Sequence, residues 1–136
     1  MAHPNHQIAR KFFAAFFTGT IPDDLLTPDM HAWTTLGPMD KTAYLGGLKA
    51  VIALFNGGRA TFTYTIDAVT AEDDRVVVEI HSNGAFTDGE PYENTYIFVL
   101  RIRDGRVASI AEHFNPIPFM KQMLPRMQPE MAKALA

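Results

Sequence analysis

The sequence predicts an α+β fold in which N-terminal helices pack inside a strongly curved antiparallel sheet. In the N-terminal part of the chain, apolar residues recur with the period of about 3.6 that is typical of helices. Beyond Arg59 the period changes to 2, which is typical of half-buried strands. Two-residue turn signals at Asp73-Asp74, Asp88-Gly89 and Asp104-Gly105 separate the long alternating runs, and this spacing indicates an antiparallel meander.

The N-terminal elements follow from apolar spacing and from the residues that begin and end helices. Pro4 suits a first helical turn, and Gly19 marks the end of the first helix. Its apolar face is formed by Ile8, Phe12, Phe13, Phe16 and Phe17. Residues 31–36 are rich in aromatic and β-branched side chains and predict a short strand before a turn at Gly37-Pro38. Asp40 is a suitable N-cap for a second helix.

The second half of the chain predicts four long strands and a helical tail. The strands begin near residues 61, 75, 92 and 106, and runs of this length must twist and curl. A curled sheet that encloses helices forms a cone with one open mouth, which is a natural small-molecule pocket. Residues 120–136 form a Met-rich tail at helical spacing, interrupted by Pro125 and Pro129. We expect this tail to close the core or, alternatively, to act as a mobile lid over the pocket.

Composition limits the classes of function. The chain has 136 residues, 47% of them hydrophobic and 20% charged, so we interpret residues 1–136 as a single globular domain. The net charge is −3 and the basic residues are scattered, which argues against a nucleic-acid or anionic-membrane partner. The absence of cysteine excludes disulfides and thiolate chemistry. No apolar run approaches the length of a membrane span or a signal peptide, so we expect a cytoplasmic protein.

Three segments resemble a known family. Residues 92–107 (YENTYIFVLRIRDGRV), residues 112–115 (EHFN) and residues 71–79 (AEDDRVVVE) are similar to the SnoaL-like branch of the NTF2-like superfamily. The resemblance covers roughly residues 8–119 and leaves the Met-rich tail outside. It implies an NTF2-like cone, a fold that hosts ketosteroid isomerases, cyclases, dehydratases, limonene-epoxide hydrolases and non-catalytic binders.

The resemblance also places the family's catalytic positions on this chain. At the ketosteroid isomerase-type positions the sequence has Phe16 or Phe17, Thr34 and Phe98, so all three polar groups of that site are replaced. The epoxide hydrolase-type positions carry His81, Glu79 and Glu112. Glu112 also occupies the place of the acidic residue on the last strand of polyketide-cyclase members.

Strand alternation and this alignment together predict the residues that face the pocket. The predicted catalytic group is an acid/base pair of His81 and Glu112, assisted by Tyr96. The predicted ligand-binding residues are Glu79, Asn83, Asn94, Phe98, Trp33, Thr34, Phe16, Phe62, Tyr64, Ile110 and Phe114. The alternative is structural: His81 and Glu112 would pair only to lock the sheet. Motifs for metal ligation, nucleotide binding or a serine nucleophile are absent, so no metal or cofactor is expected.

The expected function is cofactor-independent acid/base chemistry, by a lyase, isomerase or hydrolase acting on a small apolar or cyclic molecule. The alternatives are a non-catalytic binder of such a molecule and a homodimeric interaction module. The other face of the strands was expected to be apolar, formed by Val76, Val78, Ile80, Phe86, Ile97 and Val99. An exposed apolar face predicts an interface, and we expect a homodimer through this convex side of the sheet.

Overall fold

Two helices and six strands precede a helical C-terminal segment in the computed structural model, which describes residues 3–55 and 62–135. Helix α1 is Pro4–Phe16, with the predicted proline in its first turn, and helix α2 is Lys41–Ala53. The side chain of Asp40 caps α2 by accepting a hydrogen bond of 2.8 Å from the amide of Ala43. Gly19 turns the chain after α1 with φ of +86°, and a Cβ there would lie 3.0 Å from Ile52.

The six strands form one curved sheet in the order β2-β1-β6-β5-β4-β3. Their bounds are β1 Leu26–Thr34, β2 Gly37–Asp40, β3 Phe62–Glu72, β4 Arg75–Ala85, β5 Pro91–Arg103 and β6 Arg106–Phe114. Strands β3, β4, β5 and β6 pair antiparallel with one another in chain order, which confirms the predicted meander and the α+β fold. Strand β1 pairs parallel with β6, so the sheet is mixed.

The N-terminal strands differ from the predicted ones in their bounds. Strand β1 begins at Leu26, before the predicted residue 31, and includes Pro28. The register of β1 against β6 shifts between Leu26 and His31, so Pro28 lies where no regular ladder bond requires its missing amide hydrogen. The predicted turn at Gly37-Pro38 is the start of strand β2, which pairs antiparallel with β1.

The core lies between α1 and the concave face of the sheet. The rings of Phe13 and Phe16 pack on Phe98 of β5, with centroids 4.9 Å and 5.5 Å away. Phe12, Phe13 and Phe98 are completely buried. Burying a side chain of this size contributes roughly 1.5–3 kcal/mol, so these rings anchor α1 inside the curve of the sheet.

The Met-rich tail is part of a C-terminal helical segment that packs on the rest of the domain. This C-terminal segment comprises helix α3 (Pro116–Pro118), a π-helical turn (Phe119–Met123) and helix α4 (Leu124–Leu135). The expected interruption by Pro125 and Pro129 does not occur. Pro125 lies in the first turn of α4, where its missing amide hydrogen breaks no bond within that helix.

Buried side chains and two polar contacts attach this C-terminal segment to the rest of the domain, the polar ones to the loop between β4 and β5 and to the first residue of β5. Phe119, Met123 and Met127 are buried. Arg126 pairs with Asp88 at 2.9 Å, and the Gln122 side chain donates a hydrogen bond of 2.9 Å to the carbonyl of Pro91. Among the residues described, no helix has the length and apolarity needed to span a membrane.

Candidate functional site

The concave face of the sheet carries the predicted inward residues of β5 and β6. On β5, Tyr92, Asn94 and Tyr96 are buried and alternate with exposed neighbours. On β6, Glu112 and Phe114 face the same side, because Phe98 and Glu112 are directly opposed in the antiparallel ladder. The interpretation of these two strands from their alternation therefore agrees with the structure.

The predicted facing of β4 is wrong. Three residues that were expected to line the pocket, Glu79, His81 and Asn83, are exposed on the convex face, and Val77 is exposed beside them. The residues that were expected to point outward are buried, namely Val76, Val78, Ile80 and, just beyond the strand, Phe86. Opposed residues in a ladder share a face, and Val78 and Ile80 lie opposite Phe98 and Tyr96. The alternation within β4 has apolar residues at 76, 78 and 80, and it indicates the buried face correctly. The family alignment predicted the opposite face, and the prediction followed the alignment.

His81 therefore does not enter the pocket. Its Nδ1 lies 2.8 Å from a carboxylate oxygen of Asp67, and both side chains are about half exposed. Glu112 is on the opposite side of the sheet, so the predicted His81–Glu112 pair does not form. The convex His81–Asp67 pair is a surface interaction, for which stabilisation of at most about 1 kcal/mol is typical.

A half-open cavity lies between the concave face, α2 and the C-terminal segment. It has about 80 Å³ of free volume. One water needs roughly 10–15 Å³ on this scale, so the space suits a ligand of about five to eight non-hydrogen atoms. Its wall is mostly apolar and aromatic. The side chains that matter for its chemistry are Glu112, Tyr44, Tyr64, Tyr96, Phe16 and Phe114.

Glu112 is the ionisable centre of this cavity. The hydroxyl of Tyr44 donates a hydrogen bond of 2.6 Å to its Oε1. Burial raises the pKa of Glu112 to about 7, because the apolar surroundings disfavour the carboxylate, while the hydrogen bond from Tyr44 opposes part of that rise. A carboxyl group with this pKa both releases and accepts a proton near neutral pH.

Tyr44 is the site residue that the sequence analysis missed. It lies on α2, where its side chain is buried. A buried tyrosine hydroxyl nevertheless needs a hydrogen-bond partner, and this requirement could have indicated that Tyr44 takes part in a polar site. The partner could not be identified from the sequence, because Glu112 is distant along the chain.

Two further tyrosines, Tyr64 and Tyr96, line the same space. The Tyr96 hydroxyl lies 2.8 Å from the Ser82 hydroxyl on β4. Burial raises the pKa values of Tyr44, Tyr64 and Tyr96 above the ordinary tyrosine value, so all three stay protonated at neutral pH. The cavity therefore combines one titrating carboxyl with neutral hydroxyl groups.

Asn94 and Thr34 line the cavity, but their polar atoms are occupied within the chain. The Asn94 amide donates to the Tyr92 hydroxyl and the Asn115 carbonyl, and its oxygen accepts from the amides of Thr95 and Asn115. These bonds use its full hydrogen-bonding capacity. The Thr34 hydroxyl donates to the Gly37 carbonyl and accepts from the Leu36 amide. Both side chains therefore connect neighbouring parts of the wall.

The other predicted ligand-binding residues divide into three groups. Phe16, Tyr64 and Phe114 line the cavity as expected. Phe98 and Ile110 lie beneath its wall in the core. Phe62 lies outside this cavity and stacks on Phe55, with the two ring centroids 3.7 Å apart. Trp33 is 54% exposed on the convex face, beside His113. Among the described residues, no group of three His, Asp or Glu side chains is placed to hold a metal ion.

The sequence matches the model of one protein family, described as the SnoaL-like domain, over residues 9–110. A search among curated proteins finds no match to this chain. A solved NTF2-like protein from Anabaena variabilis is 25% identical, with a TM-score of 0.68, and the alignment covers 87% of this chain and 96% of the other.

Two solved structures from Streptomyces are similar in fold at lower identity. IdmH from Streptomyces antibioticus, described as a candidate polyketide cyclase, is 21% identical with a TM-score of 0.74, and the alignment covers 89% of this chain and 99% of IdmH. AclR from Streptomyces galilaeus, described as a candidate hydroxylase, is 15% identical with a TM-score of 0.74, and the alignment covers 87% of this chain and 93% of AclR.

Proposed function

Since this chain belongs to the SnoaL-like domain family, with the NTF2-like fold, we propose that Glu112 exchanges a proton with a small, largely apolar or cyclic molecule in the cavity. The suspected family and fold are thereby confirmed. Membership supports a small-molecule-binding or catalytic protein, and the neighbour described as a candidate polyketide cyclase is consistent with chemistry on cyclic carbon skeletons. The observation that carries the proposal is the buried Glu112, held by Tyr44 at 2.6 Å within an apolar cavity.

The chemistry follows from the surroundings of Glu112. In its ionised form the carboxylate can remove a proton from a carbon next to a carbonyl group, and in its protonated form it can return one. The protonated hydroxyls of Tyr64 and Tyr96 can donate hydrogen bonds to the oxygen on which negative charge develops. Such a reaction needs no group from outside the chain, in keeping with the cofactor-independent function expected from the sequence.

Exchange of α-protons in small cyclic ketones tests this proposal. Cyclohexanone and its five- and seven-membered homologues fit the expected ligand size, and NMR in D₂O follows the loss of their α-proton signals. We expect the wild-type protein to accelerate the exchange and Glu112→Gln to reduce that acceleration about 100-fold or more, the range lost with a positioned acid/base group. The matched control is His81→Gln, which removes a titratable group from the other face of the sheet and should exchange like wild type.

A non-catalytic binder is the second candidate, because Oε1 of Glu112 already accepts the Tyr44 hydrogen bond and the described wall holds no second carboxyl group and no histidine or lysine. The same ketones distinguish the two functions. A ketone that raises the melting temperature without α-proton exchange supports the binder and contradicts proton transfer. Equal exchange by wild type and Glu112→Gln would also contradict the catalytic role.

We further propose that two copies associate through the convex face. Three of the β4 residues assigned to this surface are buried. Ile97 is exposed as expected, and Trp33 and Val77, which were not assigned to it, are exposed as well. We expect Ile97→Lys to dissociate the dimer, since a desolvated charge in an apolar interface is costly. Ile117→Lys, at an exposed position on α3, is the control. Sedimentation velocity checks both, and a monomeric wild-type protein at micromolar concentration would contradict the dimer.

A further inference from the structure

The described wall of the cavity contains one acidic side chain and no basic one. Among the described residues that line it, Glu112 is the only side chain that can carry a full charge near neutral pH, and none is lysine, arginine or histidine. The single hydrogen bond from Tyr44 reaches Oε1. A carboxylate inside apolar surroundings is stable only with a partner that compensates its charge. The described wall supplies no such cation, so a positively charged ligand is the complement that this cavity lacks.

The aromatic part of the wall suits the same kind of ligand. Consecutive rings run from Phe16 through Tyr64 and Tyr96 to Phe114, with centroid distances of 5.7 Å, 5.6 Å and 6.5 Å. Neighbouring rings are tilted against each other by 75°, 59° and 58°. Tilted rings present π surface to a ligand from more than one direction. The face of an aromatic ring attracts a cation, and ammonium groups are bound in this way within aromatic cages.

We propose that the cavity binds a small organic cation, in which an ammonium group contacts Glu112 and its alkyl body lies against the aromatic rings. The inference rests on the proposed function in using the same cavity, and it adds the charge of the ligand. The free volume of about 80 Å³ limits the ligand to about five to eight non-hydrogen atoms. Tetramethylammonium, with five such atoms, and choline, with seven, lie in this range.

The affinity for such a cation depends on pH in a defined direction. The titratable groups that face Glu112 are Tyr44 on α2, Tyr64 on β3 and Tyr96 on β5, and all three stay neutral near pH 7. With the pKa of Glu112 at about 7, roughly a tenth of the carboxyl is ionised at pH 6 and nine-tenths at pH 8. Since the permanent cation prefers the carboxylate, choline should bind about tenfold more tightly at pH 8 than at pH 6.

The experiment compares choline with its neutral isostere 3,3-dimethylbutan-1-ol by calorimetric or NMR titration of the full chain. At pH 8 we expect wild type to bind choline at least tenfold more tightly than the isostere. Glu112→Gln, which retains an acceptor for Tyr44 but no charge, should lose this preference and its pH dependence. Glu93→Gln is the matched control, because it removes one exposed carboxylate from the same sheet outside the cavity and should behave like wild type.

Each outcome either supports or overturns the inference. Preference for choline that Glu112→Gln abolishes and Glu93→Gln retains supports it. Equal binding of choline and the isostere overturns it, while leaving the small-molecule cavity intact. Failure to bind choline at 10 mM also overturns it, and the ketone exchange then decides separately whether the proposed proton transfer holds. A choline preference that survives in Glu112→Gln would place the cation elsewhere and likewise contradict the inference.

Discussion

The variant Glu112→Gln is expected to be more stable than wild type at pH 8, by on the order of 3 kcal/mol, and equally stable near pH 4.5. The pKa of Glu112 lies near 4.5 in the unfolded chain and is raised by burial to about 7 in the folded chain. Between these values the folded protein retains a proton that the unfolded chain has released. Raising the pH therefore lowers the free energy of unfolding of wild type, by about 1.4 kcal/mol for each unit of the pKa difference.

Urea denaturation at half-unit steps from pH 4.5 to 8 checks this prediction. The quantity of interest is the difference in the free energy of unfolding between variant and wild type, since the other titrating groups are common to both proteins. Glu93→Gln is the control for the loss of a carboxyl group from the same sheet, because that side chain is exposed. A difference for Glu112→Gln that stays constant from pH 5 to 8 would show that the carboxyl titrates in its ordinary range.

The second large effect concerns the attachment of the C-terminal segment. Met123 is 2% exposed and packs with Phe86 and Tyr92, whereas Met120, in the same π-helical turn, is 52% exposed. We expect Met123→Ala to reduce the free energy of unfolding by about 2–5 kcal/mol through lost burial and the cavity that remains. Met120→Ala should change it by less than about 0.5 kcal/mol, as is usual for exposed positions.

Thermal or urea unfolding of the two variants measures this difference, and ligand titration adds a second readout. If the segment closes the core, Met123→Ala loses stability. If it is a mobile lid, Met123→Ala keeps its stability and changes mainly the affinity for ligand. Equal stability and equal affinity of the two variants would contradict both roles of the tail. The extensive burial of Phe119, Met123 and Met127 favours the first outcome.

The sequence by itself determined the order and kind of most elements, with strand β2 as the exception. The spacing of the phenylalanines in α1, the Asp40 cap of α2 and the turn signals between the long strands depend on neighbours close in the chain. Local periodicity and turn chemistry are sufficient for such features. Alternation together with the family alignment placed Tyr96, Glu112 and Phe114 on the concave face. The resemblance of residues 71–79, 92–107 and 112–115 to the SnoaL-like branch indicated the family.

Only the tertiary structure decided which side chains form the site. The shared face of β4 and β5 depends on the register of their ladder, and a shift of one residue moves every side chain to the other face. This is why His81 pairs with Asp67 on the convex side rather than with Glu112. Tyr44 and Glu112 lie 68 residues apart in the chain, and their 2.6 Å hydrogen bond exists because α2 packs inside the curved sheet. The raised pKa of Glu112 has the same origin, since burial is a property of the packed elements and not of any local segment.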